Sequence, residues 1–176
     1  NGMKVKMFDI YIKDNENVRY VLGTKGNRTL CVFGINPSTA TDKKPDPTIS
    51  RINTYLNRYG FDSFKMMNIY PLRATEPDSL PMQIDMNIHR RNMKEIEQAL
   101  ISSSAVLCAW GNLIYERDYL KQCFMDISEL INRSKVPTYC LGKTKLGNPR
   151  HPLARKPTPA ELTKFDVENY LEVING

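Results

Sequence analysis

The sequence has no apolar run long enough to span a bilayer, and it opens without a signal-peptide pattern. We therefore expect a cytoplasmic protein with no membrane partner. Asn1 and Gly2 precede Met3 and are interpreted as an expression remnant. Residues 3–176 are expected to form a single domain, because a chain of this length can bury one sizeable core.

Cysteine is scarce, and its spacing excludes the common metal sites. No CxxC pair occurs, so neither a zinc nor an iron–sulfur centre is predicted. Three cysteines lie in apolar, strand-like runs and one in a helical pattern, which is typical of reduced thiols in a core. These residues are Cys31, Cys108, Cys140 and Cys123.

The sequence also lacks other signatures of cofactor and metal binding. The loop after residue 34 matches neither the GxGxxG nor the GxxxxGK[ST] phosphate-binding pattern. Asp42, Asp46 and Glu76 follow no known metal-ligand spacing, and Asp46 before Pro47 fits a helix N-cap. We therefore expect no metal ion and no cofactor.

Acidic residues are absent from a stretch near the C-terminus. The chain carries a net charge of +6, which permits a nucleic-acid partner without requiring one. Residues 143–156 contain five lysines and arginines and no acid. The alternative interpretation is a solvated basic loop. The candidate phosphate contacts in this stretch are Lys143, Lys145, Arg150 and Arg155.

Apolar patterns predict an α/β fold. Two short runs, residues 3–12 and 19–22, predict an N-terminal β-hairpin. Four strands are then predicted at residues 30–33, 64–69, 105–109 and 137–141. They alternate with helices at residues 47–59, 87–102 and 113–132, and a last helix begins at Pro159 with Thr158 as N-cap. This alternation favours a mostly parallel sheet with helices on both faces.

Polar residues directly follow each of the four strands. They are residues 36–38, Asn68 with Arg73, residues 110–112 and residues 150–152. Because parallel strands end at the same edge of a sheet, we expect these residues to meet in one crevice, where α/β proteins bind ligands. The candidate site residues at this edge are Gly34, Asn36, Ser38, Asn68, Tyr70, Arg73, Trp110, Asn112 and His151.

The chemistry of these side chains leaves alternatives open. Asn36 can orient a water or a ligand amide, although Asn-Pro-Ser is also ordinary turn chemistry. Asn68 can read a base edge or be a satisfied buried amide. His151 lies among Arg, Pro and Lys, which favours a ligand contact or an electrophile over a core histidine. Trp110 is interpreted as a core anchor rather than a lid over the pocket.

Two family resemblances involve these residues. GINPSTATDKKPDPTISR, MNIYPLRATEP, LCAWGN and GNPRHPL, in this order, resemble the bacterial domain-of-unknown-function family sixteen-forty-three, which has no established activity. The motif order is also similar to the uracil-DNA glycosylase superfamily. That resemblance implies a three-layer α/β/α sandwich with a four-stranded parallel sheet. It further implies that Asn36 positions the attacking water, Asn68 with Arg73 helps to read the base, and His151 stabilises the leaving base anion.

The sequence departs from the glycosylase pattern at three points. Ser38 stands where that family has Tyr or Gly, which shapes the base pocket. No clear equivalent of the stacking Phe is found, so Tyr70 or Trp110 would have to substitute. Leu153 is a candidate apolar wedge at a shifted register.

Together these observations predict binding of a nucleobase, nucleotide or nucleic acid, with DNA or a nucleotide as the expected partner and N-glycosidic hydrolysis as the first reaction to test. The alternatives are a non-catalytic nucleotide- or nucleic-acid-binding module and an enzyme acting on another small, anionic substrate.

Overall fold

Seven strands form one mixed sheet in the computed structural model, which describes residues 8–37, 47–74, 79–154 and 160–176. The strands are β1 (Ile10–Asn15), β2 (Val18–Gly23), β3 (Thr29–Gly34), β4 (Ser63–Asn68), β5 (Ala105–Cys108), β6 (Thr138–Cys140) and β7 (Thr163–Lys164). The α-helices in these ranges are α1 (Pro47–Tyr59), α2 (Met86–Ile101), α3 (Asp118–Ser134) and α4 (Val167–Asn175). A 3-10 helix spans Gly111–Tyr115.

The centre of the sheet is parallel and its edges are antiparallel. The strand order is β1-β2-β4-β3-β5-β6-β7, and β3 pairs in parallel with both β4 and β5, as β5 does with β6. The α/β class is confirmed, but the expectation of a four-stranded sheet is wrong. The N-terminal hairpin joins the sheet where Leu22 of β2 pairs with Met66 of β4, and β7 extends the far edge. An uncovered edge of β4 offers unpaired backbone groups, which β2 satisfies.

The chain reverses its direction of travel across the sheet at β3. The α1 crossover leads from β3 to β4 on one side, and α2 then leads to β5 on the other side. The connections that leave the carboxyl ends of β3 and β5 therefore run in opposite directions across the sheet. The gap between these two strand ends is a topological switch point. Open α/β sheets form their ligand crevice at such a point.

Apolar residues of β3 fill a core on each face of the sheet. Leu30 and Val32 pack with α1, whereas Cys31 and Phe33 pack with α2, α3 and α4. A strand buried on both faces reads as a continuous apolar run. Helices thus cover both faces, as the alternation predicted.

Two helix predictions need correction. The last helix begins at Val167, where Asp166 accepts a hydrogen bond from the Asn169 N–H at 3.0 Å, and not at residue 159. The preceding backbone is bound elsewhere: the Ala160 and Leu162 N–H groups donate to tyrosine hydroxyls of α1 at 3.1 and 3.0 Å. Tertiary hydrogen bonds thus override the local pattern at the last helix. The predicted helix at residues 113–132 is divided into the 3-10 helix and α3.

The four cysteines are free and buried. Burial raises the pKa of the Cys31 and Cys123 thiols to about 12. No α-helix within the described ranges is long and apolar enough to cross a membrane.

Candidate functional site

A small cleft lies at the carboxyl ends of β3 and β5. Its volume is about 90 Å³, and its walls come from both strand ends, the start of α1 and the loop after β6. Four predicted site residues line it: Gly34, Asn36, Trp110 and His151. The structure therefore brings together residues of three separate loops at the switch point.

The ends of β3 and β4 are joined beyond the strands themselves. The Ile69 and Tyr70 N–H groups donate to the carbonyls of Gly34 and Ile35, each at 2.9 Å. A Cβ at Gly34 would lie 3.0 Å from Met66 Cε and 3.2 Å from the side-chain amide of Asn68. Glycine at this position thus allows the end of β3 to pack closely against β4. The backbone that leads to Asn36 is therefore held by hydrogen bonds to the segment after β4.

Asn36 is half-buried and lines the cleft. Its Nδ2 donates to the Ala74 carbonyl at 3.4 Å. This bond leaves Oδ1 as the acceptor, and within the described ranges that atom has no hydrogen-bond partner. An acceptor fixed in this way can orient a water or a ligand N–H.

Asn68 is fully buried and does not line the cleft. With its amide nitrogen turned toward the neighbouring carbonyls, the side chain donates to Asn36 O at 3.2 Å and Met67 O at 3.3 Å. Its own carbonyl accepts from Asn92 Nδ2 at 2.9 Å. This geometry matches the satisfied buried amide, and it supports the backbone of Asn36.

His151 is half-buried and also lines the cleft. Its Nδ1 accepts the Leu153 N–H at 3.1 Å. A ring nitrogen that accepts carries no hydrogen, so the hydrogen of the neutral ring is on Nε2. His151 and Asn36 therefore line the same cleft.

The two aromatic candidates for base stacking are both buried. The Trp110 ring packs 4.7 Å from Phe124 between centroids, and its Nε1 donates to the Tyr170 hydroxyl at 2.9 Å. The Tyr70 hydroxyl accepts from the Asp85 N–H at 3.0 Å. Trp110 is thus a core anchor that borders the cleft, and neither ring presents an open face to a ligand.

Asn112 belongs to a hydrogen-bonded chain beside the cleft. Its Oδ1 accepts from Thr144 Oγ1 at 2.7 Å and from Asn148 Nδ2 at 2.8 Å. Asn148 Oδ1 in turn accepts from the Tyr170 hydroxyl at 2.7 Å. The chain joins the 3-10 helix, the loop after β6 and α4, so the amide of Asn112 holds this loop in place.

The other described candidate residues do not line the cleft. Arg73 Nη2 donates to the Tyr11 hydroxyl at 3.0 Å, which ties it to the N-terminal hairpin. Lys143 and Lys145 are exposed, and half-buried Arg150 donates from Nε to the Lys143 carbonyl at 3.1 Å. Leu153 is 41% exposed at the base of the same loop. Ser38 and Arg155 lie outside the described residues.

Sequence reasoning missed several residues of the cleft. Arg19 lines it from β2 although it is only 1% exposed, and Thr48 lines it from the first turn of α1. Arg51, one turn along α1, donates from Nη1 to the Pro152 carbonyl at 3.3 Å and so holds the segment after His151. The signal for Arg19 was a charged residue inside an apolar strand run.

The described ranges contain no cluster of three or more metal-ligating side chains. Asp42, Asp46 and Glu76 lie outside those ranges.

Comparison with known proteins gives one match. No curated protein and no solved structure matches the chain. The model of a family described as "Protein of unknown function (DUF1643)" matches residues 19–153, which include every strand from β3 to β6 and every described residue of the cleft. On this match, the chain belongs to that family.

Proposed function

We propose that the cleft binds a nucleobase, presented by a nucleotide or a nucleic acid, and that the chain hydrolyses the N-glycosidic bond. The observation that carries this proposal is the convergence of Asn36 and His151 in one cleft. The motif order shared with the uracil-DNA glycosylase superfamily supports the same reaction.

The two side chains have complementary roles in this mechanism. Asn36 Oδ1 accepts a hydrogen bond from the attacking water and orients it toward the sugar carbon. The C–O bond forms as the C–N bond to the base breaks, and the proton that the water loses neutralises the departing base anion. The Nε2–H of His151 donates to an oxygen of the departing base and stabilises its negative charge. Both interactions strengthen as charge develops in the transition state, which is the requirement for acceleration.

The size and surroundings of the cleft support a base rather than a larger ligand. Its volume of about 90 Å³ is far below the ~300–1,000 Å³ typical of pockets that enclose drug-sized molecules. The sugar and phosphates would then lie outside, beside the loop that carries exposed Lys143 and Lys145. A base reaches such a cleft only from a single strand or after extrusion from a duplex.

Excision is tested with oligonucleotides that carry uracil, hypoxanthine or a mismatch, with abasic sites as the product. We expect Asn36→Ala and His151→Ala each to abolish excision while binding is retained. Asn132→Ala, an exposed asparagine near the end of α3, is the matched control and should behave like wild type. Excision that survives Asn36→Ala would contradict the role given to that residue.

Binding is measured separately, by titration of labelled single- and double-stranded oligonucleotides at several salt concentrations. Lys143→Ala and Lys145→Ala should each lower the slope of log affinity against log salt by about one. Lys94→Ala, an exposed lysine of α2, should leave the slope unchanged. Absence of binding at low salt would favour the third hypothesis, an enzyme for another small, anionic substrate.

A second candidate function is a nucleic-acid-binding module without catalysis. The buried rings of Tyr70 and Trp110 favour it, because excision needs an extruded base that is held by stacking. Binding of the oligonucleotides without excision of any lesion is the result that this candidate predicts.

A further inference from the structure

A tight hairpin precedes His151 in the chain. Lys143 and Pro149 form an antiparallel bridge across it. The Thr144 N–H donates to the Asn148 carbonyl at 2.8 Å, and the Gly147 N–H donates to the Thr144 carbonyl at 2.9 Å. We refer to residues 143–149 as the basic hairpin; its last residue lies two positions before His151.

The Asn148 side chain fixes the basic hairpin to two other elements of the fold. Asn148 is fully buried, its Nδ2 donates to Asn112 Oδ1 at 2.8 Å, and its Oδ1 accepts from the Tyr170 hydroxyl at 2.7 Å. Its N–H also donates to Thr144 Oγ1 at 3.2 Å. The amide of Asn148 is therefore bonded on one side to the 3-10 helix and on the other side to α4.

The backbone after Asn148 transmits this attachment to His151. The Pro149 carbonyl accepts from the Gly111 N–H at 2.7 Å, and the Arg150 N–H donates to the Gly142 carbonyl at 2.9 Å. The next residue is His151, whose Cβ lies 3.8 Å from the position of a Cβ at Gly111. A displacement of the hairpin would therefore move His151 relative to the Leu153 N–H that its Nδ1 accepts.

We propose that Asn148 is a positioning residue, which acts through the basic hairpin to hold the His151 ring in the cleft with its hydrogen on Nε2. The chemical use of that hydrogen rests on the proposed function, but the orientation of the ring does not. The C-terminal helix α4 becomes part of the site on this basis, because Tyr170 supplies the donor to Asn148.

The tautomer of His151 is the direct readout. The chain has only two histidines, His89 and His151, so nitrogen-15 NMR of the imidazole rings gives two separable sets of signals. In wild type we expect an unprotonated Nδ1 and a protonated Nε2 for His151. In Asn148→Ser the two His151 nitrogen shifts should move toward each other, as the ring exchanges between tautomers, while the signals of His89 on α2 stay in place.

Asn92→Ser is the matched control, because Asn92 is another fully buried asparagine that donates to backbone carbonyls. It should be destabilised like Asn148→Ser but should keep the wild-type tautomer of His151. Asn112→Ala provides a milder test, since this exposed side chain accepts from both Asn148 and Thr144. It should change the His151 shifts in the same direction, even if Asn148→Ser does not fold.

An unchanged His151 tautomer in a folded Asn148→Ser, or in Asn112→Ala, overturns the positioning role. So does an equal change in Asn92→Ser, which would show a general response to lost stability. The NMR experiment needs no ligand. A wild-type protein that neither binds nor cleaves the oligonucleotides would therefore refute the proposed function while the result for Asn148 stands.

Discussion

Removal of the Tyr170 hydroxyl gives the sharpest test of the hydrogen-bonded chain beside the cleft. This hydroxyl accepts from Trp110 Nε1 at 2.9 Å and donates to Asn148 Oδ1 at 2.7 Å. Tyr170→Phe keeps the ring, which packs 5.6 Å from Phe124 and 5.2 Å from Phe165 between centroids. The substitution therefore deletes two hydrogen bonds and little apolar contact.

The expected loss follows from the burial of the two partners. Trp110 and Asn148 are almost completely buried, so each is left with a polar atom that water does not reach. A buried group without a partner costs about 1–3 kcal/mol. We expect the free energy of unfolding to fall by about 3 kcal/mol. For a chain of this length that corresponds to a Tm lower by roughly 6–12 °C.

The assay is urea unfolding followed by the fluorescence of Trp110, the single tryptophan of the chain, together with circular dichroism. Tyr115→Phe is the matched control, because Tyr115 is 38% exposed. It should change stability by no more than about 0.5 kcal/mol. If Tyr170→Phe were as stable as Tyr115→Phe, the chain of hydrogen bonds would contribute nothing measurable and the attachment of the basic hairpin would need another explanation.

Three further predictions concern the whole fold. Burial raises the pKa of Tyr119 to about 12 and also raises the pKa of Tyr170. The folded state thus keeps protons that the unfolded state releases above about pH 10, so the free energy of unfolding should fall as pH rises past that value. A free energy of unfolding that stays constant from about pH 9 to about pH 11 would contradict this prediction. Gly23→Ala should cost about 2–3 kcal/mol in urea unfolding, because its Cβ would overlap the Phe64 carbonyl oxygen. Gly60→Ala, where φ is +76° and the space is open, should cost only about 1–2 kcal/mol, so equal losses would refute the steric argument. Finally, the buried thiols should resist a thiol reagent at neutral pH until the protein unfolds, and rapid native labelling would contradict their burial; they are Cys31, Cys108, Cys123 and Cys140.

Local patterns predicted the centre of the fold well. Helix α1 has the predicted bounds, because buried Ile49, Ile52 and Tyr55 recur at helical spacing and Gly60 adopts a positive φ at its end. Strands β3 and β5 were predicted for a related reason: each is a largely apolar run whose residues are all buried, with side chains in the cores on both faces of the sheet. In these elements the local preference and the tertiary environment agree.

The edges of the sheet depend on contacts that are distant in sequence. The hairpin of β1 and β2 was predicted, but its pairing with β4 has no local signature. The capping-box pattern at residues 158–161 predicted a helix that begins there. The structure instead has hydrogen bonds from Ala160 and Leu162 to α1, followed by the pairing of β7 with β6. A hydrogen bond to a tyrosine hydroxyl of a helix that is distant in sequence cannot be predicted from the local pattern of the segment that donates it.

Asn36 and Asn68 show why the sequence could locate the site without assigning its residues. Each stands at the carboxyl end of one of two adjacent parallel strands, and each carries the same amide. Asn92 reaches the backbone of Asn68 from α2, and the Asn68 amide is used by carbonyls of the strand ends. Asn36 keeps an acceptor in the cleft because only its nitrogen is bonded within the described ranges.

The other polar residues at this edge of the sheet also differ in whether their polar groups are already hydrogen-bonded within the protein. The Trp110 indole N–H and the Asn112 side-chain oxygen are occupied by hydrogen bonds that hold the fold together. A polar group bound by the fold can orient another group, but it has no capacity left for a ligand. Asn36 is therefore, together with His151, a residue of this edge whose loss should change chemistry more than stability. Asn68→Ala should do the reverse, and measuring excision and unfolding for both variants separates the two roles.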